Sequence, residues 1–479
     1  MKEYEKNNPD NLLKISGLEK EEPKEIDSEF YNLIENNFKN PNLQNIILEE
    51  IQKRHIGDEE QVQTLFLIAL SSLSPNPNER LSVRVAGNTS TGKSNAINST
   101  VSFIPEENVE ILTSTTKAIL EDDVLEEKSL VVVSELNLFR ENGANAQLIE
   151  TLKALAEGGL HVKKKDLRTN SKTVREEISE QKSIIYSTTD EKADLELGTR
   201  QLDITITSDS KQTKAVNDNT LLLASNPFIQ EKQKDNWVKV GIRAMNSRVG
   251  SYEIILPYAN LLSGKINEKD IIDNSNPRSR RDLKRLISLV KSYCRLHYLQ
   301  RNKIDSEKLI LSKPKDFIEV LKIAKGSFDQ TYSGLDRRVS EVYNLISKKP
   351  SWIDRSNLQK EVGCSVNTLK KYLDELKNQG LIEINIGKNI EFMGLDSQKV
   401  FVKLCQNPVK PLLISCQINE LEDYLNKNYQ EDFDRVKEFY TQKGVKIQGV
   451  KMPFNNDSSK NSEIDRVELT PFNSQEVQE

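Results

Sequence analysis

Leu81-Ser82-Val83-Arg84-Val85-Ala86-Gly87-Asn88-Thr89-Ser90-Thr91-Gly92-Lys93-Ser94 passes from an apolar stretch of strand length into a Gly-x-x-x-x-Gly-Lys-Ser pattern, and Asn95 to Val101 continues it as a helix. Glycines at both ends of the pattern let the backbone fold into a nest of N–H groups around the β- and γ-phosphates of a nucleotide. The helix N-terminus adds a favourable dipole, Lys93 a point charge and Ser94 a Mg2+ ligand. A strand before and a helix after separate such a loop from a chance match. Gly87, Asn88, Thr89, Ser90, Thr91, Gly92, Lys93 and Ser94 are therefore the expected nucleotide-binding residues, with ATP and Mg2+ as the expected ligands.

Outward from this loop, apolar runs of strand length (Leu130 to Val133, Ser183 to Ser187) alternate with helical segments, which is the pattern of a parallel sheet with helices on its faces. Leu130-Val131-Val132-Val133 ends in Ser134-Glu135. Glu135 is the candidate general base for an attacking water and a candidate metal ligand beside Ser94; the plainer alternative is a solvated glutamate capping a strand. The third strand ends in Thr188-Thr189-Asp190, so that either threonine hydroxyl can meet a γ-phosphate or the lytic water. Gly198-Thr199-Arg200-Gln201-Leu202 then presents Arg200 just before the alternation Leu202, Ile204, Ile206. An arginine at such a turn can reach into a neighbouring subunit's site, or simply sit on the surface.

The remaining organisation follows from periodicity. Residues 1–27, with eight acidic and five basic side chains, and residues 454–479 are expected to be disordered tails. Apolar positions three and four apart (Phe30, Leu33, Ile34, Phe38; Ile46, Ile47, Ile51; Val62, Leu65, Phe66, Ala69) give a helical N-terminal segment over 28–80. The α/β core spans 81–210. A helical lid over 211–335 is expected from the stripe Leu283, Leu286, Ile287, Val290, Tyr293, Cys294, His297. Residues 336–395 read as three helices and two strands, Leu381–Ile386 and Asn389–Phe392, with Gly380 ending the third helix; residues 398–453 read as a small helical appendage. The longest apolar stretch, Leu65 to Leu70, falls far short of the ~20 residues a bilayer span needs. With no apolar leader in the first thirty residues, a cytoplasmic location is expected. Four cysteines and three histidines lack metal-ligand spacing, which argues against zinc.

In their order along the chain, these motifs make residues 50–300 resemble the AAA+ ATPases, in particular the motor of minichromosome-maintenance-like replicative helicases and of related plasmid and virus helicases. The resemblance implies a P-loop AAA+ core with a helical N-terminal extension and a helical lid. It makes His55-Ile56-Gly57-Asp58-Glu59 the segment that contacts adenine, with Ile56 at its centre. Gly87 to Ser94 corresponds to Walker A, Val131 to Glu135 to Walker B, Thr188 or Thr189 to sensor 1, Arg200 to the arginine finger, and Arg281, in Arg281-Asp282-Leu283-Lys284, to the sensor 2 arginine that would reach the γ-phosphate. Ser134 stands where the family has aspartate, and a threonine where it has the sensor 1 asparagine. Residues 336–395 resemble a winged helix, which also follows the motor in that family.

Net charge is −5, from 68 basic and 73 acidic residues, so nucleic-acid contacts must come from local runs. Residues 161–175 hold Lys163, Lys164, Lys165, Arg168, Lys172 and Arg175 against Asp166 alone. In the helicase family this interval is a hairpin whose lysines grip phosphates in a ring's central channel; a solvated loop is the alternative. In the winged helix, Val366 to Gln379 would be the recognition helix, with Lys370 and Lys371 facing DNA. The expected function is thus an ATP-dependent DNA helicase or translocase of DNA replication, a homo-oligomeric ring, hexameric by resemblance, with DNA as partner and priming left to another protein such as a primase. The rival is a nucleotide-switched, winged-helix DNA-binding regulator with little ATP turnover. A third possibility is an ATPase that acts on protein partners.

Overall fold

The computed structural model describes residues 28–113, 127–136, 145–165, 174–189, 196–206, 210–225, 236–275, 277–333, 337–349, 351–386, 399–405, 413–414 and 416–442. Three helices come first: α1 (Ser28–Lys39), α2 (Leu43–Gln52) and α3 (Glu59–Ser71). Ile34 and Phe38, Ile47 and Ile51, and Val62, Leu65, Phe66 and Ala69 are all buried, as their spacing requires. α3 is buried on every side from Val62 to Ser71. A helix with no wet face must pair its polar side chains internally. Thr64 donates to the carbonyls of Glu60 (2.8 Å) and Ile323 (3.2 Å), and Ser71 donates to Ile68 O (2.6 Å) while accepting from Leu81 N–H (2.9 Å).

The α/β layer follows in the order β1 (Val83–Ala86), α4 (Lys93–Val101), β2 (Val109–Leu112), β3 (Leu130–Val133), α5 (Asn145–Ala156), β4 (Leu160–Lys165), β5 (Val174–Ser179), β6 (Ser183–Thr188) and β7 (Leu202–Thr205). Five of these strands form one sheet, ordered β2-β3-β6-β1-β7, in which every neighbouring pair is parallel. β1, β3 and β6 are buried along their whole length, so they appear in the sequence as unbroken runs rather than alternations. Arg84, in the middle of buried β1, is matched by Asp203, directly opposite on β7, with Nε to Oδ1 at 2.9 Å. Among the described residues, β4 and β5 pair only with each other, as an antiparallel hairpin.

Beyond β7 come α6 (Ser210–Ser225), α7 (Trp237–Val249), β8 (Glu253–Ile255), the ribbon β9 (Lys265–Ile266) and β10 (Lys269–Asp270), α8 (Ser279–Leu296), β11 (Asn302–Ile304), β12 (Leu309–Leu311) and α9 (Pro314–Ser333). The expected all-helical lid therefore also carries a small sheet, β11-β12-β8. A single apolar cluster runs from Ile34 to Tyr429, so the N-terminal helices, the sheet and the lid share one core. Close packing between α1 and α7 depends on Gly241, where a Cβ would come within 2.1 Å of the Phe38 ring.

A separate core holds α10 (Arg337–Ser347), β13 (Ile353–Asp354), α11 (Arg355–Val362), α12 (Val366–Asn378), β14 (Ile382–Ile386) and β15 (Val400–Leu404). Gly363 (φ +68°) ends α11, the Ser365 side chain caps α12 by accepting from Thr368 N–H (3.1 Å), and Gly380 (φ +69°) follows its end. The sheet is antiparallel, in the order β13-β15-β14. The expected wing strand Asn389–Phe392 lies outside the described residues, and the strand that pairs with β14 is Val400–Leu404. Residues 398–453 are thus not one helical appendage: β15 completes this sheet, while α13 (Ile418–Gln442) sends Leu421, Leu425 and Tyr429 into the larger core. Among the described residues, no helix is long and apolar enough to cross a membrane.

Where α8 meets α9, charge is buried but paired. Arg301 Nε donates to Asp316 Oδ2 (2.9 Å), which also accepts from Ser312 Oγ (3.0 Å) and the backbone N–H of Lys313 (2.9 Å). His297 stacks on Tyr293 with ring centroids 4.5 Å apart. Burial, reinforced by the Arg301 charge, pulls its pKa down from 6.5 to about 4. The unfolded chain therefore binds a proton between those values that the folded chain refuses, and stability rises with pH across that window. Urea denaturation from pH 4 to 7 is expected to show this rise, and His297→Phe, which keeps a ring against Tyr293, to flatten it.

Candidate functional site

Because all five strands of the main sheet are parallel, their carboxyl ends share one edge, where ligands of open α/β sheets bind. β1 ends there at Ala86 and passes directly into Gly87 to Gly92, after which Lys93 opens α4. Gly92, at the N-cap of α4, has φ +90°. At Gly87 a Cβ would lie 2.4 Å from Ile206 O and 2.9 Å from Thr91 Oγ1, so only glycine lets the loop pass this close to the end of β7. Thr91 Oγ1 donates to Asn88 O at 3.0 Å, closing the loop on itself. Lys93 is buried and donates to the carbonyls of Gly87 (2.8 Å) and Asn88 (2.7 Å). Burial lowers its pKa, and the nearby Glu135 carboxylate partly offsets this. Asn88, Thr89, Ser90 and Ser94 are exposed.

β3 delivers Glu135 to the same edge. The register Val133↔Tyr186 and Ala86↔Thr188 sets the residues after β3, the end of β6 and the start of the loop at one level. The turn after β3 is tied to its neighbours: Ser134 N–H donates to Leu112 O (2.8 Å), Leu136 N–H to Ser187 O (2.9 Å), and Ser187 Oγ to Ser134 O. Glu135 itself is exposed. Thr188 is buried at the end of β6 and Thr189, just beyond, is exposed.

Ile56 lies in a turn beside this edge that is held by side chains. Asn95, on α4, donates to Arg54 O (2.9 Å) and faces His55 Nδ1 (3.2 Å); His55 Nε2 lies 3.2 Å from Asp58 Oδ2. Gln212, on α6, donates to Ile56 O and to Asp58 Oδ2, both at 2.8 Å. His55 also approaches the loop, since a Cβ on Gly92 would lie 3.5 Å from its Cε1. Sequence periodicity gave no sign of Gln212, which sits on a polar helix far along the chain.

The two arginines lie elsewhere. Arg200 precedes β7, at the amino edge of the sheet, and four residues of strand at ~3.3 Å each, with the turn before them, separate it from its own chain's loop by roughly 15 Å or more. It bonds Glu196 (Nη2 to Oε1, 2.9 Å) and pairs with Glu157 (Nε to Oε2, 3.4 Å). Arg281, expected at the γ-phosphate, instead joins Arg200: its Nη1 donates to Thr199 Oγ1 (2.6 Å) and its Nε lies 3.7 Å from Glu157 Oε1. Behind them, Arg278 donates to Gly198 O (3.0 Å) and to buried Asp282 (2.9 Å), while buried Arg285 bonds both Asp282 and Thr199 O. Sequence reasoning missed Glu157 and Asp282, which tie this cluster together; an acid within a basic run, as Asp282 is, was the available signal.

Lys163, Lys164 and Lys165 fall on β4, in register with Glu176, Arg175 and Val174 of β5, and Arg168 lies outside the described residues. Lys370 and Lys371 are exposed on α12, whose opposite side buries Leu369, Leu373 and Leu376. No group of three or more His, Cys, Asp and Glu side chains able to hold a metal ion occurs among the described residues. No protein-family model matches the chain, and no curated protein matches it in sequence. The close approach at Gly87 has a direct consequence: Gly87→Ala must push the loop off Ile206 O and is expected to lower unfolding free energy by about 1–3 kcal/mol in urea denaturation.

Proposed function

We propose that this protein is an ATP-dependent DNA helicase or translocase of DNA replication, a ring-forming ATPase of the AAA+ kind with a C-terminal winged helix. The observation that carries the proposal is the convergence of Gly87 to Ser94, Glu135 and Thr188 on one edge of a parallel sheet, with Arg200 and Arg281 together on the other.

The residues fit Mg·ATP. Gly87 and Gly92 leave the loop free of side chains where phosphates would lie, the amides opening α4 carry the positive end of a helix dipole, and Lys93 is a desolvated cation at the same point. Ser94 and Glu135 would hold Mg2+, which supplies charge neutralisation at the phosphates when bound. In this scheme Lys93 exchanges its two loop carbonyls for phosphate oxygens. Glu135, exposed beside it, orients the attacking water and takes its proton, and Thr188 or Thr189 supplies a hydroxyl to the γ-phosphate or that water. Arg200 and Arg281 are out of reach of their own chain's loop and so act on the nucleotide of the next subunit, which makes turnover depend on oligomerisation.

DNA would meet the β4–β5 hairpin through Lys163, Lys164 and Lys165, a grip on phosphates without sequence preference. The order helix, strand, helix, helix, strand, strand in residues 337–404 supports the winged-helix likeness, with Lys370 and Lys371 on the helix offered to DNA. A nucleotide-switched DNA-binding regulator is favoured by one feature, Ser134 in place of a metal-holding aspartate.

Steady-state ATP hydrolysis, with and without single-stranded DNA, tests the proposal. Stimulation by DNA is expected, and Lys93→Ala and Glu135→Gln should each cut turnover by about a hundredfold or more. ATP binding without turnover, indifferent to DNA, would select the regulator. Changing Lys163, Lys164 and Lys165 together to Glu is expected to weaken DNA binding and to reduce the salt dependence of log affinity by about three.

A further inference from the structure

We infer that Glu157 is a positioning residue for the two arginines, holding Arg200 and Arg281 side by side across one carboxylate and tying their placement to the root of the basic hairpin. The inference rests on the proposed action of these arginines on a neighbouring subunit. Each carboxylate oxygen faces a different arginine, Oε2 facing Arg200 Nε at 3.4 Å and Oε1 facing Arg281 Nε at 3.7 Å. The other acids of the cluster are otherwise engaged: Asp282 takes Arg278 and Arg285, and Glu196 takes Lys153 (2.8 Å) and a terminal nitrogen of Arg200 (2.9 Å). Arg281 also bonds Thr199 directly, but among the described acids Glu157 is the one that faces both arginines, Arg200 in the turn before β7 and Arg281 in the first turn of α8.

The position of Glu157 in the chain supplies the second half of the inference. It follows α5 directly and precedes Gly158 (φ +97°) and Gly159 (φ +84°), from which β4 starts. The hairpin strand with Lys163, Lys164 and Lys165 thus begins at Leu160, three residues after the carboxylate that grips both arginines. Glu157 and Arg281 are on the surface, with side-chain exposures of 47% and 44%, and Arg200 is half-buried at 21%. Exposed pairs of this kind add little to folding stability, so their loss reads out in function.

The test compares steady-state ATP hydrolysis, with single-stranded DNA present, in wild type, Glu157→Gln, Glu157→Asp and Arg200→Ala. Glu157→Gln is expected to lower kcat about tenfold while KM for ATP stays within about twofold and the melting temperature within about 2 °C. Glu157→Asp, which keeps the charge, should recover most of the rate. Mixing Glu157→Gln with Lys93→Ala should give more hydrolysis than the two proteins measured apart, because Lys93→Ala subunits bring intact arginines to their neighbours' working loops. Wild-type kcat in Glu157→Gln, with Arg200→Ala inactive, would overturn the positioning role alone. Equal impairment of Glu157→Gln and Glu157→Asp together with a lowered melting temperature would also overturn it, by making the residue merely structural. An Arg200→Ala protein as active as wild type would overturn the action on the neighbouring subunit, and this inference with it.

Discussion

Parallel strands cannot be joined by hairpins, and the whole of the larger unit is arranged around that fact. Four crossovers must join the five strands, so both faces of the sheet are roofed by chain and all the carboxyl ends emerge on one side. The loop at Gly87, the turn at Glu135 and the threonines after β6 meet for this reason, although the first and last are about a hundred residues apart. The same rule sends the turn before β7 to the opposite side. α3, buried all round between the sheet and helices α8 and α9, joins the sheet to the lid, and α9 also bonds β7 directly, where Asp203 N–H donates to Thr331 Oγ1. Ten consecutive buried residues there, at about 1.5–3 kcal/mol for each large apolar side chain, are a major part of the core.

Buried charge plays a second, more local part. Asp316 accepts from Arg301, Ser312 and a backbone amide, and Ser312 Oγ in turn lies 2.9 Å from the hydroxyl of buried Tyr258, whose ionisation burial disfavours. Every bond in this group has one geometry that satisfies it, so the group fixes how α8 enters the following strands and α9 in a way apolar packing alone does not. Arg84 and Asp203 act similarly inside the sheet, where a register slip between β1 and β7 would leave a buried guanidinium facing no carboxylate.

Elements with a strong periodic signal were legible from the residues alone. The buried strands β1, β3 and β6, the stripe on α8, the glycine-rich loop, and the caps and glycines around α11 and α12 lie where the sequence implies. Elements whose identity depends on distant partners were not legible. β2 is an edge strand with Ile111 55% exposed and Glu110 in its middle, so it lacks the apolar run of its neighbours. β8, β11 and β12 are three residues each; β11 and β12 pair with each other close by, and β8 gains meaning only by pairing with β12 across more than fifty positions. β15 was assigned to the wrong unit because Val400, Phe401 and Leu404 carry no sign of which sheet they join. In the candidate site, the loop and Glu135 follow from local pattern, whereas the meeting of Arg281 with Arg200 was not legible, because motif order says nothing of which edge of the sheet a helix meets.

α6 stands apart from the rest: none of its sixteen residues is buried, and Leu221 and Leu222 are 68% and 54% exposed. Helices of about this length are only marginally stable without packing, so its helicity rests on local hydrogen bonds. Gln212 nonetheless joins its first turn to Ile56 and Asp58. The amide protons of α6 should therefore trade with solvent long before those of α3, through openings that leave the sheet intact. Openings that reach its first turn also release the carbonyl of Ile56, so deuterium uptake at the start of this helix is a clock for the turn beside the glycine-rich loop.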